Sequence, residues 1–305
     1  MTICKKPLLV TILVHYNAPD ECVSIVNQLA KTEYSNHEIV VVDNPSTPEV
    51  FEILKQQLTD DKIHVIQNHS NSGYGAGINF GAEYAKKLGA KYYHIINTDT
   101  SIVNGNYISK IIEEFDSTCD AGLIGPGVIT PSGDVQNTIM QHTSIKNAKN
   151  FKKNQNFKSI TEAYPKLYPV EVINGVCFIV KAEAFKFIKG FDEDFFMYGE
   201  EHDFCERLHT AGYQVYYWSG CAIKHFHQQS NCFLFTWRDA LARINQILYL
   251  QKRNRAKAIV LALLFSVATT FKRLNNKYQF EIPYKSVIKG YLNPVKFNKQ
   301  LKDKH

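Results

Sequence analysis

"LLVTILVHYNAPDECVSIVNQLAKTEYSNHEIVVVDN", residues 8–44, holds two short apolar runs rich in Val and Ile on either side of a stretch whose apolar residues recur at helical spacing. Runs of this kind, too short for helices and without polar alternation, predict strands covered on both faces of a sheet. The pattern repeats: "KIHVIQN" (62–68) and "YYHIINTD" (92–99) read as further strands, and 19–31, 48–58 and 76–88 as the helices between them. Strand and helix in alternation predict βαβ units and hence an α/β fold with a sheet flanked by helices. In such sheets the ligand crevice lies outside the carboxyl ends of the strands. The polar residues that end these strands, Asn17, Asp43, Asn44, Asn97 and Asp99, therefore gather along one edge.

The second hundred residues continue the same core. "GLIGPGVITPSGD" (122–134) reads as strand and turn, 141–168 as a long Lys/Asn/Gln-rich loop, and "VINGVCFIVKAEAF" as a buried strand leading into a short helix. "EEHDFCERLHTAG" is a helix closed by Gly212. "YQVYYW" is a strand, and "SGCAIKHFHQQS" reads as the loop that ends a core of about 230 residues. From residue 236 the pattern is helical throughout.

Composition narrows the class. Of 305 residues 45% are hydrophobic and 21% charged, as in a globular protein rather than a disordered or fibrous one. Seven cysteines are scattered without a CxxC pair, so neither a zinc ribbon nor a disulfide framework is expected, and a reducing, cytoplasmic setting is the simpler reading. Two lysines precede the first apolar run, but that run breaks at His15 without a small-residue cleavage site, which favours a first strand over a leader.

The net charge of +6 hides a division. Residues 251–305 carry 13 Lys/Arg against Glu281 and Asp303, a net of +11, and residues 1–250 carry 22 basic against 27 acidic residues, a net of −5. Within the basic segment, "AIVLALLFSVATTF" (258–271) would span about 21 Å as a helix, short of a hydrocarbon core of about 30 Å. Flanking basic residues suit it to an anionic membrane surface at the inner face of the cell membrane, or to packing on the core with a solvated basic side. Nucleic acid, which calls for aromatics interleaved with Lys/Arg along a groove, is the weaker match, and none is expected as a partner.

Single motifs say little. "NSGYGAGINFG" (71–81) is Gly-rich and opens a helix, yet it fits neither G-x-G-x-x-G nor a P-loop, so its glycines point to a close backbone approach, by a ligand or by a neighbouring segment. Asp99 follows a strand, where a carboxylate can hold Mg²⁺ or Mn²⁺, or merely cap a turn. His225 and His227 would face one side of an extended segment. Most informative is "GFDEDFFMYGEEHDFCERLHTAGY" (190–213), which places Glu200, Glu201, Asp203 and Glu206 beside large aromatics. Acids in a first helical turn complement the macrodipole. Aromatic walls add desolvation, which raises a carboxylate's pKa and suits a general base.

Taken in order, "VHYN", "VVDNPS", "NSGYGAGINFGAEYA", "INTDTS", "GPGVITPSG", "NGVCFIVKAEAF", "GFDEDFFMYGEEHDFCERLHTAGY" and "HFHQQS" resemble the family-2 glycosyltransferases, in particular their bacterial rhamnosyltransferase-like branch, over about residues 7–235. The resemblance implies a GT-A fold, with residues 1–235 as the transferase domain and 236–305 as a helical extension. It also implies a nucleotide-diphosphate sugar donor, a divalent metal (Mg²⁺ or Mn²⁺) and inversion at the anomeric carbon. By the same resemblance Tyr16, Asn17, Asp43, Asn44, Gly73, Asn79 and Asn97 belong to the donor nucleotide side. Asp99 and His225, with Ser230 near by, belong to the metal, and Glu201 is the catalytic base. Asp192, Glu200 and Asp203 belong to the acceptor or sugar side. Two positions depart from the family pattern: Glu stands at 201 where Asp is commoner, and His202 where an apolar residue is usual. The expected activity is transfer of rhamnose, or of galactofuranose or another hexose from a UDP-sugar, to a glycan or lipid-linked glycan. A sugar-nucleotide binder without catalysis is the alternative of another class.

Overall fold

The computed structural model describes residues 6–149, 165–226, 234–275 and 279–303, so His227 and Ser230 lie outside the described residues. Four parallel strands open the fold: β1 (Leu9–His15), β2 (His37–Asp43), β3 (Ile63–Gln67) and β4 (Tyr92–Ile96), in the spatial order β3-β2-β1-β4. Their side chains divide by the period of two that a pleated strand imposes. Leu9, Leu13, Ile39 and Val41 face the layer of α1 (Pro19–Leu29), α2 (Pro48–Gln57) and α4 (Tyr107–Ser117). Val10, Ile12, Val40 and Val42 face α3 (Tyr74–Leu88) on the other side. Pro at the first helical turn starts α1 and α2, and Gly89, left-handed at φ 87°, ends α3.

The sheet then becomes mixed. Beside β4 lies β11 (Cys177–Lys181), antiparallel both to β4 and to β6 (Ala121–Ile129), and β12 (Gln214–His225) runs parallel to β6 and carries β5 (Thr100–Ile102) on its far side. Two short strands, β7 (Val135–Gln136) and β9 (Leu167–Pro169), join β6 and β12, while β8 (Ile139–Met140) and β10 (Val172–Ile173) form a separate ribbon. Helices α5 (Ile145–Lys149), α6 (Ala182–Phe187) and α7 (Glu200–Thr210) follow in chain order, the last two packing on the α3 face.

The segment expected as a loop, "SGCAIKHFHQQS", is a strand as far as His225. The register of β12 against β6 slips between Trp218 and Ala222, and the strand then resumes to pair with β5. Ser219 and Gly220 sit in that irregularity, which is why their residue types read as a loop. Part of the loop expected over 141–168 is likewise structured, as α5 and β9, and 150–164 lie outside the described residues.

The extension comprises α8 (Trp237–Gln251), α9 (Arg255–Leu274), α10 (Tyr284–Leu292) and α11 (Pro294–Lys302). It is not helical throughout, because it contains β14 (Gln279–Phe280), which pairs in parallel with β13 (Leu234–Phe235) just before the extension begins. Its apolar cluster includes Phe195 of the preceding α/β core, so the two parts are joined through a shared interior.

Gly81 is the tightest point of α3. A Cβ there would stand 2.5 Å from Ile12 Cγ2 and 2.8 Å from Val42 Cγ2, both branched side chains of the sheet. Gly81→Ala should therefore lower stability by about 1–2 kcal/mol in urea unfolding, since overpacking of about 1–3 kcal/mol exceeds the gain of up to about 1 kcal/mol in helix propensity. A variant as stable as the parent would contradict this packing.

Candidate active site

The carboxyl ends of β1 and β2 meet in a buried polar cluster. Asp43 Oδ1 lies 2.9 Å from His15 Nδ1 and accepts from Ser46 Oγ (2.6 Å), while Oδ2 accepts from the Ser46 N–H (3.1 Å) and Gln67 Nε2 (2.9 Å). Both Asp43 and His15 are 0% exposed. Burial pushes the Asp43 carboxyl up, but the bonds from His15, Ser46 and Gln67 outweigh it and hold the group below its usual range. Asn17 is left-handed at φ 51°, donates its N–H to Ser46 Oγ and accepts from the Thr47 N–H, which leaves Tyr16 turned out and 46% exposed. Asn44 reaches from β2 to the carbonyl of Gly73 (3.2 Å). Asn79 stands apart from this group. It brackets Phe191, accepting from its N–H and donating to its carbonyl, both at 2.9 Å, so it serves the 191–193 turn.

Gly73, at φ 100°, answers which backbone its motif lets in. Its absent Cβ would lie 2.0 Å from the carbonyl oxygen of Phe196, and the neighbouring Tyr74 N–H donates to that same oxygen at 2.9 Å. The Gly-rich segment thus seats the turn that precedes the acidic helix.

Asp99 and His225 come together although 126 positions separate them in the sequence. His225 Nε2 is 3.2 Å from Asp99 Oδ2, and His225 Nδ1 donates to Gln136 Oε1 at 3.0 Å. A ring whose second nitrogen is tied to a side-chain carbonyl has its tautomer and orientation fixed for ligation through the first. One oxygen and one nitrogen suit a hard divalent cation that takes its remaining ligands from substrate phosphates and water. Asn97, in the same turn, donates its backbone N–H to the Val176 carbonyl (2.9 Å), and Thr100 Oγ1 donates to the Asn97 carbonyl (2.7 Å).

Glu200 and Glu201 open α7, preceded by two left-handed residues, Tyr198 (φ 68°) and Gly199 (φ 96°). Glu201 Oε2 accepts from the Gly199 N–H (2.9 Å) and Oε1 from the Gly175 N–H (3.3 Å). Glu200 is 3% exposed, and its Oε2 has no hydrogen-bond partner among the described residues. Burial pushes both carboxyls up. For Glu200 the neighbouring Glu201 adds to the rise, whereas for Glu201 the two glycine N–H groups oppose it.

Two backbone steps link Glu201 to the turn that carries Asp99. Glu201 rests on Gly175, and Val176, the next residue, holds Asn97, two places before Asp99. Tyr74 and Tyr198 register the same proximity: burial first, then the charges of Glu200, Glu201 and Asp99, raise both phenols. Glu201 and Asp99 therefore share one neighbourhood. Asp203, expected with Glu200 on the acceptor or sugar side, is buried between Arg207 Nε (2.7 Å) and Arg253 Nη2 (2.9 Å). Asp192 sits 2.8 Å from Lys252 Nζ. Burial raises its carboxyl, but the Lys252 ammonium and the Asp194 N–H outweigh this and hold it low. Reading the sequence missed His15, Ser46, Gln67, Tyr74, Gln136 and Gly175. Only the PS dipeptide after Asp43 and the NG at 174–175 hinted at any of them, since both are turn signals.

Against known proteins, residues 11–188 match the family "Glycosyl transferase family 2", and residues 155–229 match "N-terminal domain of galactosyltransferase". The chain is 28% identical over 205 residues to the low-salt glycan biosynthesis hexosyltransferase Agl10 of Haloferax volcanii, with 67% of this chain and 62% of that protein covered. It is 26% identical over 209 residues to the N-acetylglucosaminyl-diphospho-decaprenol L-rhamnosyltransferase of Mycobacterium tuberculosis, with 63% of this chain and 67% of that one covered. The fold matches the mannosyltransferase PcManGT of Pyrobaculum calidifontis in complex with GDP-Man and Mn²⁺, at a TM-score of 0.58 and 11% identity, covering 98% of this chain and 88% of that one. It also matches S. aureus TarS 1-349 in complex with UDP-GlcNAc, at 0.57 and 14%, covering 94% and 80%. The architecture is GT-A.

The buried Glu200–Glu201 pair makes a pH test available. A carboxyl raised in the folded state keeps its proton there after the unfolded chain, at about 4.3, has lost it, so folding stability falls as pH rises from that value to the folded pKa. Glu200→Gln removes the more strongly raised group. In urea titrations at successive pH values, parent stability relative to this variant should fall as pH rises above about 4.3, with a slope of up to about 1.4 kcal/mol per unit for one proton. A difference independent of pH would contradict the raised carboxyl.

Proposed function

Since this chain belongs to glycosyl transferase family 2, we propose that it is an inverting, metal-dependent glycosyltransferase. It moves a hexosyl unit, rhamnose first among candidates, from a dTDP- or UDP-sugar to a growing cell-surface polysaccharide or lipid-linked glycan. One observation carries the reading: the carboxylate of Glu201, raised by burial yet oriented by two backbone N–H groups, shares a neighbourhood with the Asp99–His225 pair. A base needs a pKa brought toward the working pH and a fixed direction. Glu201 has both.

Asp99 and His225 would hold the cation, with Gln136 keeping His225 Nε2 directed at it. Bound there, a divalent cation would supply positive charge against that developing on the departing diphosphate. Glu201 takes the proton of an acceptor hydroxyl. The hydroxyl oxygen bonds to the anomeric carbon from the side opposite the leaving group, and the bond from that carbon to the diphosphate oxygen breaks with inversion, as in the base step of inverting glycosidases. On the nucleotide side, Gln67 is exposed and donates an amide N–H to Asp43 Oδ2. The imide N–H of uracil or thymine is a donor of the same kind and could take its place, which favours a pyrimidine donor. Tyr16, Asn17, Asn44 and Gly73 line the same end. With Asp203 occupied by two arginines and Asp192 by Lys252, Glu200 is the acid left to the acceptor side. Rhamnose and a lipid-linked acceptor are supported by the name of the Mycobacterium relative, and a hexose more broadly by that of the Haloferax one.

A membrane-bound acceptor accords with α9. Val260, Leu263, Val267, Phe271 and Leu274 are 44–76% exposed, and at 3.6 residues per turn they fall within a stripe roughly 80° wide. Arg255 and Lys257 stand at one end and Arg273 at the other. No helix among the described residues is long and apolar enough to cross a membrane. The helix therefore lies along an anionic bilayer at the cytoplasmic face, apolar stripe inward and basic ends against headgroups.

With dTDP-rhamnose, and with UDP-sugars if that donor is inert, turnover should vanish in EDTA and return with Mn²⁺, and Glu201→Gln should lower kcat by about 10²–10⁴. Full turnover in EDTA, or with the variant, rejects the mechanism. The full chain should float with phosphatidylglycerol vesicles but not with phosphatidylcholine, and Val267→Glu with Phe271→Glu should abolish flotation. Binding unaffected by the double substitution removes α9 as the anchor.

A further inference from the structure

The turn that delivers Glu201 is not held by the transferase core alone. Phe196, Met197 and Tyr198 lie between the shared apolar cluster and α7, and Tyr198 adopts a left-handed φ that is uncommon for a bulky side chain. Such a conformation persists only where its surroundings determine it. Those surroundings are two asparagines of the extension. Asn245 of α8 is 0% exposed and donates both amide hydrogens, one to the Met197 carbonyl and one to the Tyr198 carbonyl, each at 2.8 Å. Asn298 of α11, 1% exposed, accepts from the Phe196 N–H at 2.8 Å and donates to Asn245 Oδ1 at 2.7 Å and to the Pro294 carbonyl at 2.9 Å.

These bonds form a closed set. The N–H of Phe196 goes to Asn298 and its carbonyl to the Tyr74 N–H, so one residue joins the extension to the Gly-rich segment. The peptide units on both sides of Tyr198 are pinned, and the next two residues are Gly199, whose N–H binds Glu201 Oε2, and Glu200. Buried amides in an apolar cluster cost stability unless satisfied, and here every amide hydrogen and oxygen of the two side chains that points at the turn has a partner. Outside this set, Lys252 reaches Asp192 and Asp194, Arg253 reaches Asp203 and Glu206, and the Lys302 ammonium binds the Glu193 carbonyl. The extension thus grips the whole stretch from 192 to 206.

We infer that Asn245 and Asn298 are positioning residues for the base Glu201, and that α8 and α11 belong to the working site rather than to an accessory module. The inference rests on Glu201 as the base, but the placement of the turn can be read without turnover.

The test uses full-length Asn298→Ala and Asn245→Leu, the second keeping side-chain volume while removing the amide. Amide hydrogen exchange over peptides covering 196–201 should speed up by about tenfold or more in each variant, as expected when one or two bonds that hold the turn are lost, with exchange in β1–β4 unchanged. With dTDP-rhamnose, or whichever UDP-sugar the parent turns over, kcat should fall by about 10–100-fold while donor KM stays within about twofold, because misplacing a reacting group damages the chemical step more than donor binding. Parent-like exchange at 196–201 in either folded variant overturns the clamp. Faster exchange with unchanged kcat overturns its role in positioning the base. Should Asn245→Leu fail to fold, Asn298→Ala, in the outer helix, decides by the same two readouts. If the parent turns over no donor, the functional reading fails while the exchange result still stands.

Discussion

A carboxylate withdrawn from water must be given other donors or lose its charge, and that constraint organises the active end of this molecule. Glu201 receives two backbone N–H groups, from Gly175 and Gly199, and neither could be delivered without further commitments. Gly175 comes with the segment that enters β11, whose antiparallel insertion beside β4 makes the sheet mixed. Gly199 requires a turn with two successive left-handed residues, seated against Gly73 on one side and the C-terminal helices on the other. The sheet order, the Gly-rich segment and the extension can all be traced to the placing of one side chain.

The fold was largely legible because its signals are local. Apolar β-branched runs, helical spacing and Pro or Gly at helix ends lie within a few residues of one another, and they marked the four parallel strands and the helices between them. Where they failed, pairing overrode composition: β12 continues through Ser219 and Gly220 because β5 and β6 supply partners beyond the irregularity. The candidate site was legible through its acids and histidine, whose types carry chemistry. Their supporting residues were not. Gln136, Gln67, Asn245 and Asn298 are ordinary amides in the sequence, and only folding shows which carbonyl or carboxylate each one meets. Asp203 illustrates the converse, an acid in a suggestive place that two arginines claim.

Charge is distributed to the same end. The acidic turn of 192–206 faces lysines and arginines of the extension, so part of the charge division seen along the chain is settled by contact. What is left over, at the ends of α9, borders the exposed apolar stripe. Basic residues of one segment thus divide between contacts inside the molecule and the solvent-facing border of that stripe.

The bond from Asn298 to Phe196 has a consequence for how the protein is made. Chains emerge from the ribosome amino end first, and the strands and helices up to α7 can assemble while the remainder is still being translated. The turn before α7 must then wait for a residue about a hundred positions downstream. A chain not yet extended through α11 would already hold Gly199 and Glu201 but not the Asn298 oxygen that receives the Phe196 N–H, so the turn at 196–201 takes its final shape only after α11 has been made.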